Sequence, residues 1–145
     1  MPLNTAEKQI LKSAYEVPQL ISDALDNYKF RQAINLLIDL SRIGNKYLAD
    51  EEPWKLYKLG NTERVKKIMY VSLQLCGLLS LLSEPFLPNA SKKIRQILNI
   101  KETKWTELTF SNPILKEKKQ INKPALIFRK IEDEEIKNQI SKLND

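Results

Sequence analysis

The sequence predicts an all-α protein: a helical bundle followed by an extended C-terminal arm and a final helix. Three observations carry this reading. Over the first hundred positions, apolar residues recur at alternating spacings of three and four, the period of one helix face. One stretch, carrying Val65 to Leu82, is apolar on more than one face, as the most enclosed helix of a bundle should be. Beyond Ile100 the helical period is lost until about Glu132. The bundle is therefore assigned to 1–100, and the arm with its last helix, expected to pack back on the bundle, to 101–145.

Each element has its own grounds. From Thr5, the residues Ile10, Ala14, Val17, Ile21, Ala24 and Tyr28 mark one face of a first helix. Thr5 followed by Lys8 makes no capping box, while Glu7 suits the positive end of the helix dipole. Pro18 is expected to kink this helix or divide it, because it has no N–H to donate. A second helix runs from about Tyr28 to Ala49, with Phe30, Ala33, Ile34, Leu37, Leu40, Gly44 and Tyr47 inward. Gly44 reads as a small residue where a neighbouring helix packs close.

The segment holding Pro53 and Trp54 reads as a loop closed by Leu59-Gly60-Asn61-Thr62. Asn61 or Thr62 then caps a third helix, carrying Val65, Ile68, Met69, Leu75, Leu78, Leu79 and Leu82, with Cys76 as a core residue. "SEPFLPNA" ends it, and Asn89 or Ser91 starts a fourth through Ile94, Ile97 and Leu98. The arm has two prolines and a lysine cluster, and Trp105, Leu108 and Phe110 are expected to pin it to the bundle. "ALIFRK" reads as a short strand or an extended segment before a last helix from about Glu132 to Leu143. The acidic run Glu132 to Glu135 belongs at the positive end of that helix dipole, not to acid–base chemistry.

Composition narrows the chemistry. The 145 residues suit one domain, able to bury roughly 70% of the unfolded surface. Cys76 is the single cysteine and histidine is absent, which excludes an internal disulfide, a His-based zinc site and His-dependent triads. The three glycines, Gly44, Gly60 and Gly77, are too scattered for a phosphate-cradling loop. No catalytic or metal-ligating residue is assigned. The formal charge of +6 and pI near 9.3 lean towards a polyanionic partner. The N-terminus lacks the apolar centre of a signal peptide and no uninterrupted apolar run is long enough to span a membrane, so a cytoplasmic location without membrane association is expected.

Two roles are open to Trp54, which sits among Asp50, Glu51, Glu52, Lys55 and Lys58. It can anchor the segment in the core, with Pro53 fixing its approach and Tyr47 nearby. It can instead face outward as a platform for an unstacked base, with Lys46, Lys55 and Lys58 near the phosphates.

The string Asn45-Lys46-Tyr47, five residues, then Pro53-Trp54-x-Leu56-x-Lys58 resembles the signature of the anticodon-binding domain of methionyl-tRNA synthetase. "YKFRQAINLLIDLSRIGNKY", "LLSEPFLPNASKKI" and "ALIFRKIEDEEI" are similar to that family's flanking segments, so the likeness covers about 10–143. It implies a class I synthetase-type bundle that reads the CAU anticodon of initiator and elongator methionine tRNAs. It assigns base stacking to Trp54, pocket shape to Pro53, the rest of the signature to Asn45 and Lys46, and anticodon holding to Lys130 with Arg129 beside it. Nothing here matches the family's first bundle helix, which reads the first anticodon base, or its nucleotide-binding signatures. A catalytic domain of the same synthetase is thus an expected partner, where ATP and methionine would bind, and no cofactor is expected in this chain. The acidic residue that many relatives place two positions after the tyrosine is Ala49 here, with Asp50 next. The alternatives are a helical protein-interaction module or the matching domain of another class I synthetase.

Overall fold

The computed structural model describes residues 2–101, 103–116 and 118–143. Its described elements are α1 (Thr5–Asp26), α2 (Phe30–Glu51), α3 (Pro53–Lys58), α4 (Thr62–Leu82), α5 (Pro88–Ile97), a 3-10 turn at Trp105–Glu107 and α6 (Asp133–Ser141). The all-α expectation holds, and 121–132 forms no strand. Helix α4 is the hub, packed against α1, α2, α3 and α5. By length and composition α4 could also cross a membrane, but half of that stretch is buried inside the bundle. A central core helix needs that hydropathy anyway.

Helix α1 begins at Thr5 and is capped by the residue before it. Asn4 is the N-cap, its side chain accepting from the Glu7 N–H at 2.8 Å, while Glu7 accepts from the Asn4 N–H at 2.8 Å. This is a reciprocal capping box, hidden because Thr5 looked like the more natural start. Pro18 does not divide α1; it is buried within a continuous helix. Tyr28 falls outside α1, is 82% exposed and has φ 59°. On α2, Ala33, Leu37, Leu40 and Tyr47 are buried as expected, but Phe30 and Ile34 are exposed. The true inner stripe of α2 is narrower than its apolar pattern. A Cβ added to Gly44 would touch Leu75 at 3.5 Å, so the close α2–α4 approach is real.

The largest correction is α3. The Pro53–Trp54 segment is not a loop but a short helix with Pro53 at its first turn, where the missing N–H has no intrahelical bond to lose. Asn61 caps α4 by accepting from the Arg64 N–H. Cys76 is exposed, not core, though local burial still pushes its thiol pKa up. Helix α5 starts at Pro88, before the expected Asn89 or Ser91.

The arm is held by more than the three expected residues. Leu108 is buried, and Trp105 and Phe110 pack on the core. Further along, Tyr15 donates to the Gln74 side-chain oxygen at 2.9 Å and accepts from the Ile114 N–H at 2.9 Å. Gln74 in turn accepts from the Leu115 N–H and donates to its carbonyl. A buried amide satisfied on both ends is worth more than its hydrogen bonds alone suggest, since breaking one strands the rest. Burial pushes the Tyr15 hydroxyl up to about 12. A Cβ on Gly77 would stand 2.7 Å from Ile114, so only glycine lets the arm lie this close to α4. Helix α6 buries no residue, and Ile136, Ile140 and Leu143 are exposed.

Leu75→Ala removes a side chain that is 1% exposed and is expected to destabilise the protein by about 2–5 kcal/mol. Trp54→Ala should lose clearly less in the same urea titration, because its ring is half out of the core. Equal losses would make Trp54 a core anchor.

Candidate nucleic-acid interface

The site is built at the corner between α2 and α4. Glu52 ends α2 and begins α3 with φ 44° and ψ 55°, a left-handed conformation that costs a non-glycine residue of the order of 1–3 kcal/mol and survives only where neighbours enforce it. Pro53, buried, is fixed on one side of it. On the other side Glu51 is tied to Arg64 of α4 at 2.7 Å. Arg64 also bonds Glu7, which is 1% exposed, and Glu7 accepts from the Tyr47 hydroxyl at 3.0 Å. One guanidinium thus ties α1 and α2 to α4 beside the corner.

The titrations follow from this wiring. Burial raises the Glu7 carboxyl, but the Asn4 N–H, Arg64 and the Tyr47 hydroxyl together reverse it, leaving the carboxyl below its ordinary range. Burial pushes the Tyr47 hydroxyl well up, and its bond to the Glu7 carboxylate adds to the shift. The hydrogen bond to Glu51 and the carboxylate of Glu7 raise the Arg64 pKa against a smaller desolvation effect.

The corner presents Trp54 half exposed, at 50%, on the wall of an apolar cleft of about 580 Å³. Tyr57 lies one helical turn on and shares the cleft, whose far wall is Val65, Met69 and Cys76 of α4. Among the described residues, Lys58 contributes the single charge in the lining. The Ser72 hydroxyl, also in the wall, is buried with no hydrogen-bond partner among the described residues. Such a cleft offers apolar surface from α3 on one side and α4 on the other.

The expected site residues are not all gathered here. Pro53 and Trp54 form the cleft. Asn45 and Lys46 are exposed in the last turns of α2, and Lys46 pairs with Asp50 at 2.8 Å. Lys55 is likewise paired, with Glu52 at 2.7 Å. Arg129 lines a different cavity, beside Lys93 of α5, and is held by Glu135 through two bonds of 2.7 and 2.8 Å. Lys130 is 83% exposed, 3.6 Å from Glu132. The residues that the sequence reading missed are Tyr57, Met69 and Arg64. The i, i+3 spacing of Trp54 and Tyr57 was the available signal, lost when the segment was read as a loop.

Comparison with known proteins now bears on this geometry. The family model for the anticodon binding domain of methionyl tRNA ligase matches residues 3–144. The chain belongs to that family. It is 41% identical over 99% of its length to a methionine–tRNA ligase of Cytophaga hutchinsonii. It is 46% identical over 99% of its length to one of Bacteroides fragilis, and 46% identical over 87% to one of Christiangramia forsetii. The chain spans only 20%, 21% and 19% of those proteins. The match supports the family resemblance of the Asn45-to-Lys58 signature.

Glu7 contributes stability while ionised. Because its folded pKa is lowered, that contribution is complete above the unfolded carboxylate value and is lost as pH falls through the folded one. Unfolding midpoints should therefore drop on acidification, and Glu7→Gln should flatten that part of the profile. Arg64→Met, which leaves Glu7 buried without its cation, should cost about 3–5 kcal/mol at neutral pH. An unchanged midpoint would show the network to be dispensable.

Proposed function

We propose that this domain binds the anticodon loop of methionine tRNA, reading CAU by stacking the first anticodon base on Trp54. The single observation that carries the reading is a half-exposed Trp54 on α3, next to buried Pro53, with an apolar cleft beside it. A tryptophan is highly buried on average, and this one is half exposed. An aromatic face left accessible but immobile suits base stacking, worth about 1–3 kcal/mol per base. Pre-positioning matters because a ring that must first be ordered gives back part of that gain.

Within this reading Pro53 shapes the pocket, and Asn45 and Lys46 flank it on the end of α2. Lys130 and Arg129 touch the backbone elsewhere on the tRNA, since Arg129 borders another cavity and Lys130 lies beside it in the chain. Arg129 is committed to Glu135, which leaves Lys130 the freer cation of the two. The whole ligase that contains such a domain would use ATP and methionine in its catalytic domain, the other partner of this chain, and would work in the cytoplasm. The domain alone should show no methionine-dependent ATP–pyrophosphate exchange, and exchange above background from pure protein would overturn that.

Binding of a CAU anticodon stem-loop tests the stacking directly. Trp54→Ala should weaken it by about 1–3 kcal/mol and Trp54→Phe by less. Lys130→Ala should weaken all stem-loops alike and flatten the salt slope by about 0.7 to 0.9. Indistinguishable titrations of wild type and Trp54→Ala, both folded, would remove Trp54 from the site. Tight binding to a protein with little salt dependence would favour an interaction module instead.

A further inference from the structure

The cleft beside Trp54 has two walls carried by different helices. Leu48 of α2, with Pro53, Trp54 and Tyr57 of α3, forms one, and Val65, Met69 and Cys76 of α4 form the other. Its width is set by the separation of those helices. Among the described residues, neither Glu51 nor Arg64 lines it, yet the two join its walls. Glu51 lies one helical turn on from Leu48, Arg64 immediately precedes Val65, and their side chains meet at 2.7 Å. The other terminal nitrogen of Arg64 is spent on Glu7 of α1. A planar guanidinium holds both carboxylates in one fixed fork.

The same pair acts on the corner itself. The Glu52 N–H donates to the Leu48 carbonyl at 3.2 Å, and the Glu52 carbonyl accepts from the Lys55 N–H at 2.9 Å. Helix α2 thus ends and α3 starts on this one residue. At φ 44° it holds a conformation that a non-glycine residue keeps only under restraint. Its own side chain offers no anchor in the core, because it pairs with exposed Lys55. Rotation at Glu52 swings α3, and Trp54 with it, against α4. Glu51, fastened to α4, resists that rotation.

We propose that Glu51 and Arg64 are positioning residues for RNA binding: their ion pair fixes the width of the cleft and the aim of the Trp54 ring, without either side chain touching the strand. An empty cleft already held at its working width gives back less of the stacking energy as ordering cost. The sign of the effect sets this role apart from plain electrostatics. Removing a carboxylate beside a polyanion tightens binding if charge is all that changes, and it frees Arg64 as well. A positioning role requires the opposite result. The proposal rests on Trp54 holding a base, and the test is chosen to separate the two.

The probe is the CAU anticodon stem-loop, titrated against wild type, Trp54→Ala, Glu51→Ala, Glu51→Gln and the double variant Glu51→Ala with Trp54→Ala. Arg64 keeps its bond to buried Glu7 in all of them, so each should melt cooperatively well above the assay temperature. Glu51→Ala should bind about 3- to 10-fold more weakly, part of the roughly 5- to 150-fold that one lost stack is worth. Glu51→Gln makes the same charge change but keeps an oxygen for Arg64, and should recover much of that loss. The double variant should bind as weakly as Trp54→Ala alone, since Glu51 acts through the ring. Trp105→Phe leaves Trp54 the single tryptophan, and in that background acrylamide quenching should rise in Glu51→Ala. Binding as tight as wild type or tighter in Glu51→Ala, with Trp54→Ala still weak, overturns the positioning role and leaves Trp54 as the base platform. Unchanged quenching, or losses that add in the double variant, overturn it too. Wild-type affinity in Trp54→Ala overturns both readings.

Discussion

Arg64 is the contact on which the rest of this structure depends. It is one cation meeting two carboxylates from different helices, Glu7 of α1 and Glu51 of α2. Buried charge is costly unless compensated. Here Glu7 gathers an N–H, a hydroxyl and a guanidinium. That is nearly the full acceptor capacity of a carboxylate, and it explains why the group stays ionised in spite of its burial. The consequence is geometric as well as energetic. A hydrophobic contact in its place would tolerate a sliding helix, whereas these bonds hold only at one relative position of α1, α2 and α4.

That position decides where the tryptophan goes. The chain must turn sharply between α2 and α4 within ten residues, Glu52 to Asn61. It does so by placing Glu52 in a left-handed conformation and starting a new helix at once on Pro53. The residue before a proline is already disfavoured in the right-handed helical region, so helix α2 has to stop there. The left-handed alternative is strained, and the Glu51–Arg64 pair before it and the buried Pro53 after it retain it. Trp54 inherits this rigidity while its ring stays half in solvent. Core and surface requirements are divided between adjacent residues: Pro53 is buried and Trp54 is exposed.

How much of this could be read from the sequence differs by element. The hub helix was legible because its apolar residues occupy several faces, and Gly44 was legible as a close approach. The site was legible in part, through the Pro53-Trp54 string. What escaped was local and polar. The capping box starts at Asn4, one residue ahead of an equally acceptable Thr5, and no periodicity distinguishes them. A six-residue helix with Trp, Lys, Leu, Tyr and Lys after its proline has no apolar stripe long enough to reveal a period. Phe30 and Ile34 looked buried because a helical period marks which residues share a face, but not whether another element covers it. Cys76 sits on the hub helix yet opens onto the cleft, so an apolar neighbourhood in sequence did not mean enclosure. The Gln74–Tyr15 clamp joins residues 59 positions apart, beyond any local pattern.

The distribution of charge gives the fold its last physical consequence. The chain carries a formal +6, but Lys46 and Lys55 near Trp54 are answered by Asp50 and Glu52, which leaves Lys58 as the charge in the cleft lining among the described residues. Exposed pairs of this kind contribute little to stability, yet they lower the local positive field. A strong field at the platform would hold any phosphate chain there regardless of its bases. In the proposed reading, a weakly charged platform would leave the stacking contact to discriminate. Long-range attraction would then come from exposed cations further away, whose pull is sequence-blind and screened within about 10 Å at 0.1 M salt. In the proposed reading, separating the two functions in space would let salt modulate how tightly a strand is held without much affecting which strand is preferred.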